Sequence, residues 1–442
     1  MGFIRFFRSL RTTSTAKDIT VEFTVREIEN PSSKSSTSSS SLPCISTQQR
    51  ALLLHGPKQP YAEVLDHPIP PLLDNRELLV WNRVIGLNPI DWKAPDFNFG
   101  IPELPYISGR ELVGEVAISP RQESRFKPGD SVIVISTDYR DLRKAAYQQC
   151  VVATDFNTCR LPANVTPESG AGLGVAFVAA ALCLGICVGL DFSKVANGPN
   201  LLSIVKGLDP QRLPEDIRSE CLNGISQTEK ARPGDWLAIW GGSSTSAFIL
   251  NQIARLIGLR TISIMDCRKH ALRVSSDSRT QPDIVVDNHN PERAIEITRS
   301  VTNNSLRFAV DTVGRDTAKH LMQCLQQHCE PVDNEDSATT LTPTPTLKPD
   351  AGHAAAHLVG LTGLPKGSPP TNITFHTVPI KVFHEIPELG EVLMLWLERL
   401  LSQGLLVPPT ILGVREGFGA INDALDSMRR GEVSGGRLVV RV

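Results

Sequence analysis

Between Trp236 and Asp266 the sequence runs through an apolar strand pattern at Trp236–Trp240, two glycines, three hydroxyl residues, an amphipathic helical stretch, a second strand pattern at 261–265 and an acid. This order constrains the fold more than any other feature of the chain. A strand that turns through Gly-Gly into a helix and returns as a second strand is the start of a parallel βαβ layer. Gly241 and Gly242 suit a backbone that must turn sharply and approach a pyrophosphate with no side chain in the way. Ser243, Ser244 and Thr245 add hydroxyl donors, and the following helix start offers free N–H groups and a positive dipole end to phosphates. The third glycine of a GxGxxG pattern is missing, with Ser246 or Ala247 in its place. Phe248, Ile249, Ile253, Leu256 and Ile257 are spaced for one apolar helix face.

Asp266 stands where an acid would hold the ribose diol of NAD. Arg268 and Lys269 follow at once, and cations there suit a 2′-phosphate. A solvated turn of mixed charge is the third reading. Strand patterns at 284–286, Phe308–Asp311 and 357–361 alternate with helical stretches at 292–299 and 318–328. Strands alternating with helices predict an α/β unit with a doubly wound parallel sheet.

The chain before this unit has a different character. Runs at 50–55, Glu77–Gly86 and 131–136 are β-rich and bounded by Pro, Gly or Asp, and Lys127-Pro128-Gly129-Asp130 is a turn into the third. The block reads as all-β to about Pro162. After the alternating region come helices at 385–402 and 416–429, the second stopped by Gly431, and a strand at 437–442. Inserts near 197–231 and 330–350 interrupt the alternation, and the second is expected to be a surface loop. The expected division is 1–46 as an extension, 47–165 as a β domain, 166–370 as the dinucleotide domain and 371–442 as a return to the β domain.

The extension carries Arg5, Arg8, Arg11 and Lys17 before the first acid, Asp18, with apolar residues between them, as a mitochondrial presequence does. A disordered extension is the alternative, and the Ser-rich run 32–41 cannot bury a core. The compartment is therefore expected to be the cytoplasm, or the mitochondrion if residues 1–17 act as a presequence. Net charge is −2, which gives no global field for nucleic acid. The apolar stretch 171–190 is rich in Gly and Ala and is expected to be a buried helix, not a membrane span. The nine cysteines are odd in number and irregular in spacing, with no CxxC, and are expected to be reduced thiols. Cys183 and Cys187 share a helical face with no His nearby in sequence, so a buried structural role is expected there. His353, His357, His376 and His384 are scattered without ligand-like spacing and are expected to be surface or packed residues.

Five stretches in order carry a resemblance: Gly86-Leu87-Asn88-Pro89-Ile90-Asp91-Trp92-Lys93, Leu104-Pro105-Tyr106-Ile107-Ser108-Gly109-Arg110-Glu111-Leu112-Val113-Gly114, Lys127-Pro128-Gly129-Asp130, Ile239-Trp240-Gly241-Gly242-Ser243-Ser244, and Met428-Arg429-Arg430-Gly431 through Gly435-Gly436-Arg437-Leu438-Val439-Val440. Over residues 48–442 the chain resembles the medium-chain dehydrogenase/reductase superfamily, and within it the zinc-independent quinone oxidoreductases and fungal trans-acting enoyl reductases. The resemblance implies a GroES-like β domain plus a Rossmann domain, an active site in the cleft between them, NADPH in preference to NADH, a small-molecule substrate and, as in many relatives, a homodimer. Zinc-dependent members carry a Cys near Asn88–Asp91 and a Gly-His-Glu. Here no Cys stands there, the triplet is Gly109-Arg110-Glu111, and the four-Cys lobe is absent, so neither zinc nor another metal is expected.

By the same resemblance Asn88 and Asp91 sit beside the nicotinamide, though both are also turn residues that could only fix a loop. Lys93 is a candidate proton donor or carbonyl-orienting cation, or a solvated lysine. Related enoyl-thioester reductases place a catalytic Tyr where Phe99 stands, and related fungal reductases often carry a Thr at about Ala179. Neither residue here supplies a hydroxyl. The expected activity is NAD(P)H-dependent reduction of an enone, quinone or enoyl intermediate in fungal secondary metabolism. The alternatives are oxidation of an alcohol and a cofactor-binding protein with impaired catalysis.

Overall fold

The computed structural model describes residues 8–15, 18–25, 47–326 and 355–442. The Ser-rich run 32–41, the insert 330–350 and His353 lie outside the described residues. Of the expected extension, Arg8–Thr15 and Asp18–Val25 pair as antiparallel strands, with Arg8 opposite Val25. The chain divides into two units. One runs to Gly174 and includes Ile411–Val433 and Arg437–Val442; the other is Val175–Thr410 with Ser434–Gly436. Residues 371–410 thus belong to the second unit, and the return to the first begins at Ile411.

The first unit is built on Glu77–Gly86, ten residues of apolar and β-branched character buried along most of their length. Glu111–Ile118 pairs antiparallel along it, followed in the sheet by Ser131–Ile135 and Thr158–Arg160. Its other edge is shared. Cys150–Thr154 takes positions 77–81, and Arg437–Arg441 takes 84–86, with Val440 opposite Ile85. Ile411–Glu416 then adds parallel to Arg437–Arg441. Alternation at the start of Glu77–Gly86 separates two cores, and a bulge between Asn82 and Val84 returns Ile85 to the face of Leu78 and Val80. Leu78, Val80 and Ile85 join Leu112, Val132, Val151, Tyr106, Tyr147 and the inner face of helix Ala420–Arg429. Leu79 joins Ala117, Cys150 and Val152.

The second unit has a parallel sheet in the order Ile284–Asp287, Arg260–Met265, Trp236–Trp240, Phe308–Asp311, Ala356–Gly360, Ile373–Thr377. Numbered along the chain this is the doubly wound order 3-2-1-4-5-6. All five residues of Trp236–Trp240 are buried, as a central strand covered on both faces demands. The helix Thr245–Leu256 buries Ala247, Ile249, Leu250, Ile253 and Ala254, while the expected contributors Phe248, Leu256 and Ile257 are only half-buried. Buried Asn251 and Gln252 are paired: the Asn251 amide donates to Ser263 Oγ (2.8 Å), and Gln252 exchanges two hydrogen bonds with the Val407 backbone (3.1 and 2.8 Å).

The expected helices 292–299, 318–328 and 385–402 form as Pro291–Val301, Arg315–Leu325 and Pro387–Ser402. The expected helix 416–429 is shorter, because 411–416 is strand and the helix begins at Ala420. The apolar stretch 171–190 contains the buried helix Gly174–Leu182, which continues as a π-helical turn, Cys183–Cys187. Among the described residues no helix is long and apolar enough to cross a membrane. The insert 197–231 carries two short helices, Leu201–Gly207 and Glu215–Asn223.

Candidate active site

In the second unit the chain reverses direction across the sheet between Trp236–Trp240 and Phe308–Asp311, and ligands of open α/β sheets bind at the carboxyl ends of the strands at such a point. Gly241 follows Trp240 with φ +81°, in the left-handed region that disfavours side chains. A Cβ there would lie 2.3 Å from Thr312 Oγ1 and 2.5 Å from Val313 Cγ2. A Cβ on Gly242 would lie 2.7 Å from the Ser263 Cβ. Both glycines are thus required by close passage of the neighbouring strand ends. Their N–H groups both donate to Ile264 O (3.0 Å each), so neither is free for a phosphate.

The hydroxyl run divides by role. Ser244 is the N-cap of Thr245–Leu256: its Oγ accepts from the Ala247 N–H (3.1 Å) and donates to Thr312 Oγ1 (3.0 Å). Thr312 Oγ1 in turn donates toward the carbonyls of Trp240 and Gly241. Ser243, Thr245 and Ser246 are half-exposed, and no side-chain hydrogen bond of theirs occurs among the described residues. Their hydroxyls and the amides of the first helical turn are what this end offers to an anion. Sequence reasoning missed Asp311 and Thr312, which form the facing wall. Asp311 Oδ1 accepts from the Val313 and Gly314 amides (2.9 and 2.7 Å) and fixes the turn that holds Thr312 against Gly241. The Ser244→Ala variant is expected to lose about 1 kcal/mol of stability through the lost cap, read as a lower urea midpoint.

Asp266 caps the helix Cys267–Val274, accepting from the Lys269 N–H at 3.1 Å. Lys269 Nζ lies 3.4 Å and His289 Nε2 3.7 Å from the same carboxylate. Burial acts to raise its pKa, but the Lys269 amide, the Lys269 ammonium and His289 outweigh it, so the group lies below the usual carboxylate range. Arg268 is exposed and makes no ion pair or hydrogen bond among the described residues. Asp266, Arg268 and Lys269 are therefore neighbours at one strand end, with the acid committed to a cap and one cation uncommitted.

In the first unit Asn88, Asp91, Glu111 and Arg437 form one buried polar network. Asn88 caps the helix Pro89–Phe97, which Pro89 opens and which ends at Asn98 in the left-handed region. The Asp91 carboxylate accepts from the Asn88 N–H (2.8 Å) and from Ser108 Oγ (3.3 Å), and Tyr61 Oη donates to the Asp91 carbonyl (2.7 Å). The Asn88 amide donates to Glu111 (3.0 Å), and its oxygen accepts from Arg437 (2.9 Å). Arg437 also pairs directly with Glu111. Burial pushes the Asp91 pKa up, against the Asn88 amide and the positive charges of Arg110 and Arg437. Sequence reasoning found Asn88 and Asp91 but gave no role to Arg437, the buried one of the two arginines that bound the strand Arg437–Arg441.

Lys93 is half-buried, its ammonium 5.6 Å from the centre of the Trp92 ring. Arg110 donates to Tyr106 Oη at 2.9 Å. Phe99 is exposed in the loop after Pro89–Phe97, and Ala179 is half-buried on Gly174–Leu182. The structure thus places Asn88, Asp91 and Lys93 on one helix start, and the glycine, hydroxyl and charged residues at two neighbouring strand ends.

Residues 74–183 match the alcohol dehydrogenase GroES-like domain. The chain is 26% identical over 390 residues to trans-enoyl reductase FSL5 of Gibberella zeae, covering 84% of this chain and 91% of that protein. It is 24% identical over 392 residues to trans-enoyl reductase buaC of Petromyces alliaceus, covering 88% and 95%. Among solved structures, the Escherichia coli quinone oxidoreductase complexed with NADPH superposes with a TM-score of 0.62 at 16% identity, covering 89% of this chain and all of that one, a likeness of fold. The GroES-like match, a parallel sheet in the doubly wound order and relatives matched along most of its length support the medium-chain dehydrogenase/reductase superfamily.

Proposed function

We propose that the protein uses NADPH to reduce an enone, quinone or enoyl intermediate, without zinc, in fungal secondary metabolism. The dinucleotide reading is carried by one observation, the glycine crossing at 241–242 beside an open helix N-terminus at the sheet's reversal point. The reductive reading is supported by relatives named trans-enoyl reductases that match 84–88% of the chain. Bound NADPH would supply a hydride from the nicotinamide ring to the β-carbon, and a proton would reach the α-carbon or the oxygen.

The residues take the following parts. The Ser243, Thr245 and Ser246 groups bind the pyrophosphate. Arg268, with Lys269, binds the 2′-phosphate, while Asp266 holds that helix start in place. Asn88 and Asp91 are positioning residues, since their polar atoms are spent on Glu111, Arg437 and the helix cap. Lys93 is the candidate to orient the substrate carbonyl or deliver the proton. Arg110 stands where zinc-dependent members carry histidine, and a guanidinium has no lone pair to give a metal.

Titration of NADPH fluorescence against the wild type and Arg268→Ala tests this reading. The variant is expected to bind NADPH about tenfold more weakly, the loss of one charge-assisted contact, with NADH affinity unchanged. Tight and exclusive NADH binding by the wild type would overturn the NADPH assignment. Saturable NADPH binding with no oxidation by any enone, quinone or enoyl-thioester acceptor would overturn the reductase reading.

A further inference from the structure

Cys187, Glu220 and His376 come together in the second unit from three separate elements. Cys187 ends the π-helical turn Cys183–Cys187, a distortion frequent at functional sites. Glu220 lies on Glu215–Asn223, which packs against that turn. His376 lies on Ile373–Thr377, the last strand of the sheet order. The Cys187 sulfur, a Glu220 carboxylate oxygen and a His376 ring nitrogen all lie within 4.8 Å of one another. Cys187 and His376 have no solvent exposure, and the Glu220 side chain, 16% exposed, is the way in from solvent.

The surroundings are organised around these three. His376 Nδ1 faces Glu220 Oε1 at 2.8 Å, and its Nε2 faces His357 Nδ1 at 2.9 Å. His357 stands on the adjacent strand, on the same face of the sheet, since Val359 is opposite His376. Phe308 stacks on the His357 ring at 5.4 Å. His357 therefore holds the His376 ring with Nδ1 turned toward Glu220, as the outer partner of a metal-binding imidazole does. Cys183, one turn before Cys187, and Cys221, beside Glu220, are both fully buried and add sulfur around the cluster. None of these residues belongs to the dinucleotide-binding set or to the Asn88 network.

We propose that Cys187, Glu220 and His376 bind a soft divalent cation of the zinc class. A thiolate, an imidazole and a carboxylate form the mixed set that zinc takes, with water or the second Glu220 oxygen as fourth ligand. Magnesium and calcium prefer oxygen ligands alone. Binding moves one proton: the Cys187 thiol releases it to solvent and the thiolate takes the ion. With the ion on Nδ1, His376 carries its proton on Nε2 and donates it to His357 Nδ1, whose own proton then sits on its Nε2. The ion would tie the π-turn, Glu215–Asn223 and the sheet's last strand to one another, a role separate from hydride transfer.

The test is titration of the untagged, chelator-treated full chain with Co²⁺ alone. One ion per chain is expected at saturation, with a thiolate-to-cobalt charge-transfer absorption that Zn²⁺ displaces. Cys187→Ser is expected to abolish that absorption. Glu220→Gln, at the partly exposed position, is expected to keep the circular dichroism of the wild type and weaken Co²⁺ binding by about tenfold or more. If Cys187→Ser fails to fold, Glu220→Gln decides the matter. Absence of saturable Co²⁺ binding by the wild type, or an affinity unchanged by Glu220→Gln, overturns the proposal.

Discussion

Replacing Arg437 with methionine is expected to destabilise the first unit by about 3–5 kcal/mol, the usual loss when one partner of a buried ion pair is removed. Arg437 is 6% and Glu111 1% exposed, so the Glu111 carboxylate left behind cannot recover its hydration. The Asn88 oxygen loses its donor in the same step. The Asn88 amide still donates to Glu111, but the positive charge that Arg437 sets against this carboxylate is gone. Urea unfolding followed by far-ultraviolet circular dichroism measures the loss. Adding Glu111→Gln to Arg437→Met should recover a large part of it, because the orphaned charge is then gone. A single variant that unfolds within about 1 kcal/mol of the wild type would show that the pair is not a buried ionic contact.

Gly241→Ala should have the second large effect, and on binding as well as on stability. The residue sits at φ +81°, and its new Cβ would meet Thr312 Oγ1 and Val313 Cγ2 well inside van der Waals contact. Backbone strain alone costs about 1–3 kcal/mol. Relief requires the Thr312 turn to move, which breaks the hydroxyl chain from Ser244 through Thr312 to the Trp240 and Gly241 carbonyls. That chain holds the helix N-terminus in register with the strand end. NADPH affinity is therefore expected to fall by about 100-fold or more, since roughly 3 kcal/mol of misplacement carries that factor. Combining Gly241→Ala with Val313→Ala should recover part of the loss, since it removes one of the two clashes and keeps the Thr312 hydroxyl, and should leave the φ strain in place. Unchanged NADPH affinity in Gly241→Ala would mean that the cofactor does not depend on this crossing.

Much of the fold was legible because it rests on local patterns. Trp236–Trp240, the glycine pair and the amphipathic run to Leu256 lie within a short stretch of chain, and each speaks for itself through periodicity. Glu111–Ile118 carried no isolated pattern, since it is apolar on both faces, and it entered the sequence reading only through its motif. Ile411–Glu416 gives no strand signal in the sequence, because its six residues bury little and so lack an apolar period, and only Glu416 falls within the expected helix.

The site was legible by position but not by role. Ser244 reads as a hydroxyl donor for phosphate, yet capping and the Thr312 contact occupy it. Asp91 reads as an acid beside the reaction, yet its oxygens serve its own helix start and Ser108. Which partner a polar group takes is a tertiary fact. Cys187, Glu220 and His376 make the same point more strongly, since only the sheet and its covering helix bring them within ligand distance.

The placement of Arg437–Arg441 has a consequence for biosynthesis. This strand lies beside Glu77–Gly86 and delivers the cation that Glu111 and Asn88 require. On the ribosome it emerges only after all of Val175–Thr410 has been made. The second unit can therefore condense while the first still lacks an edge of its sheet and the counter-charge for a carboxylate destined for burial. Until that strand arrives, residues 84–86 present unpaired backbone along one side, and the nascent first unit is the stage at which chaperones have most to protect.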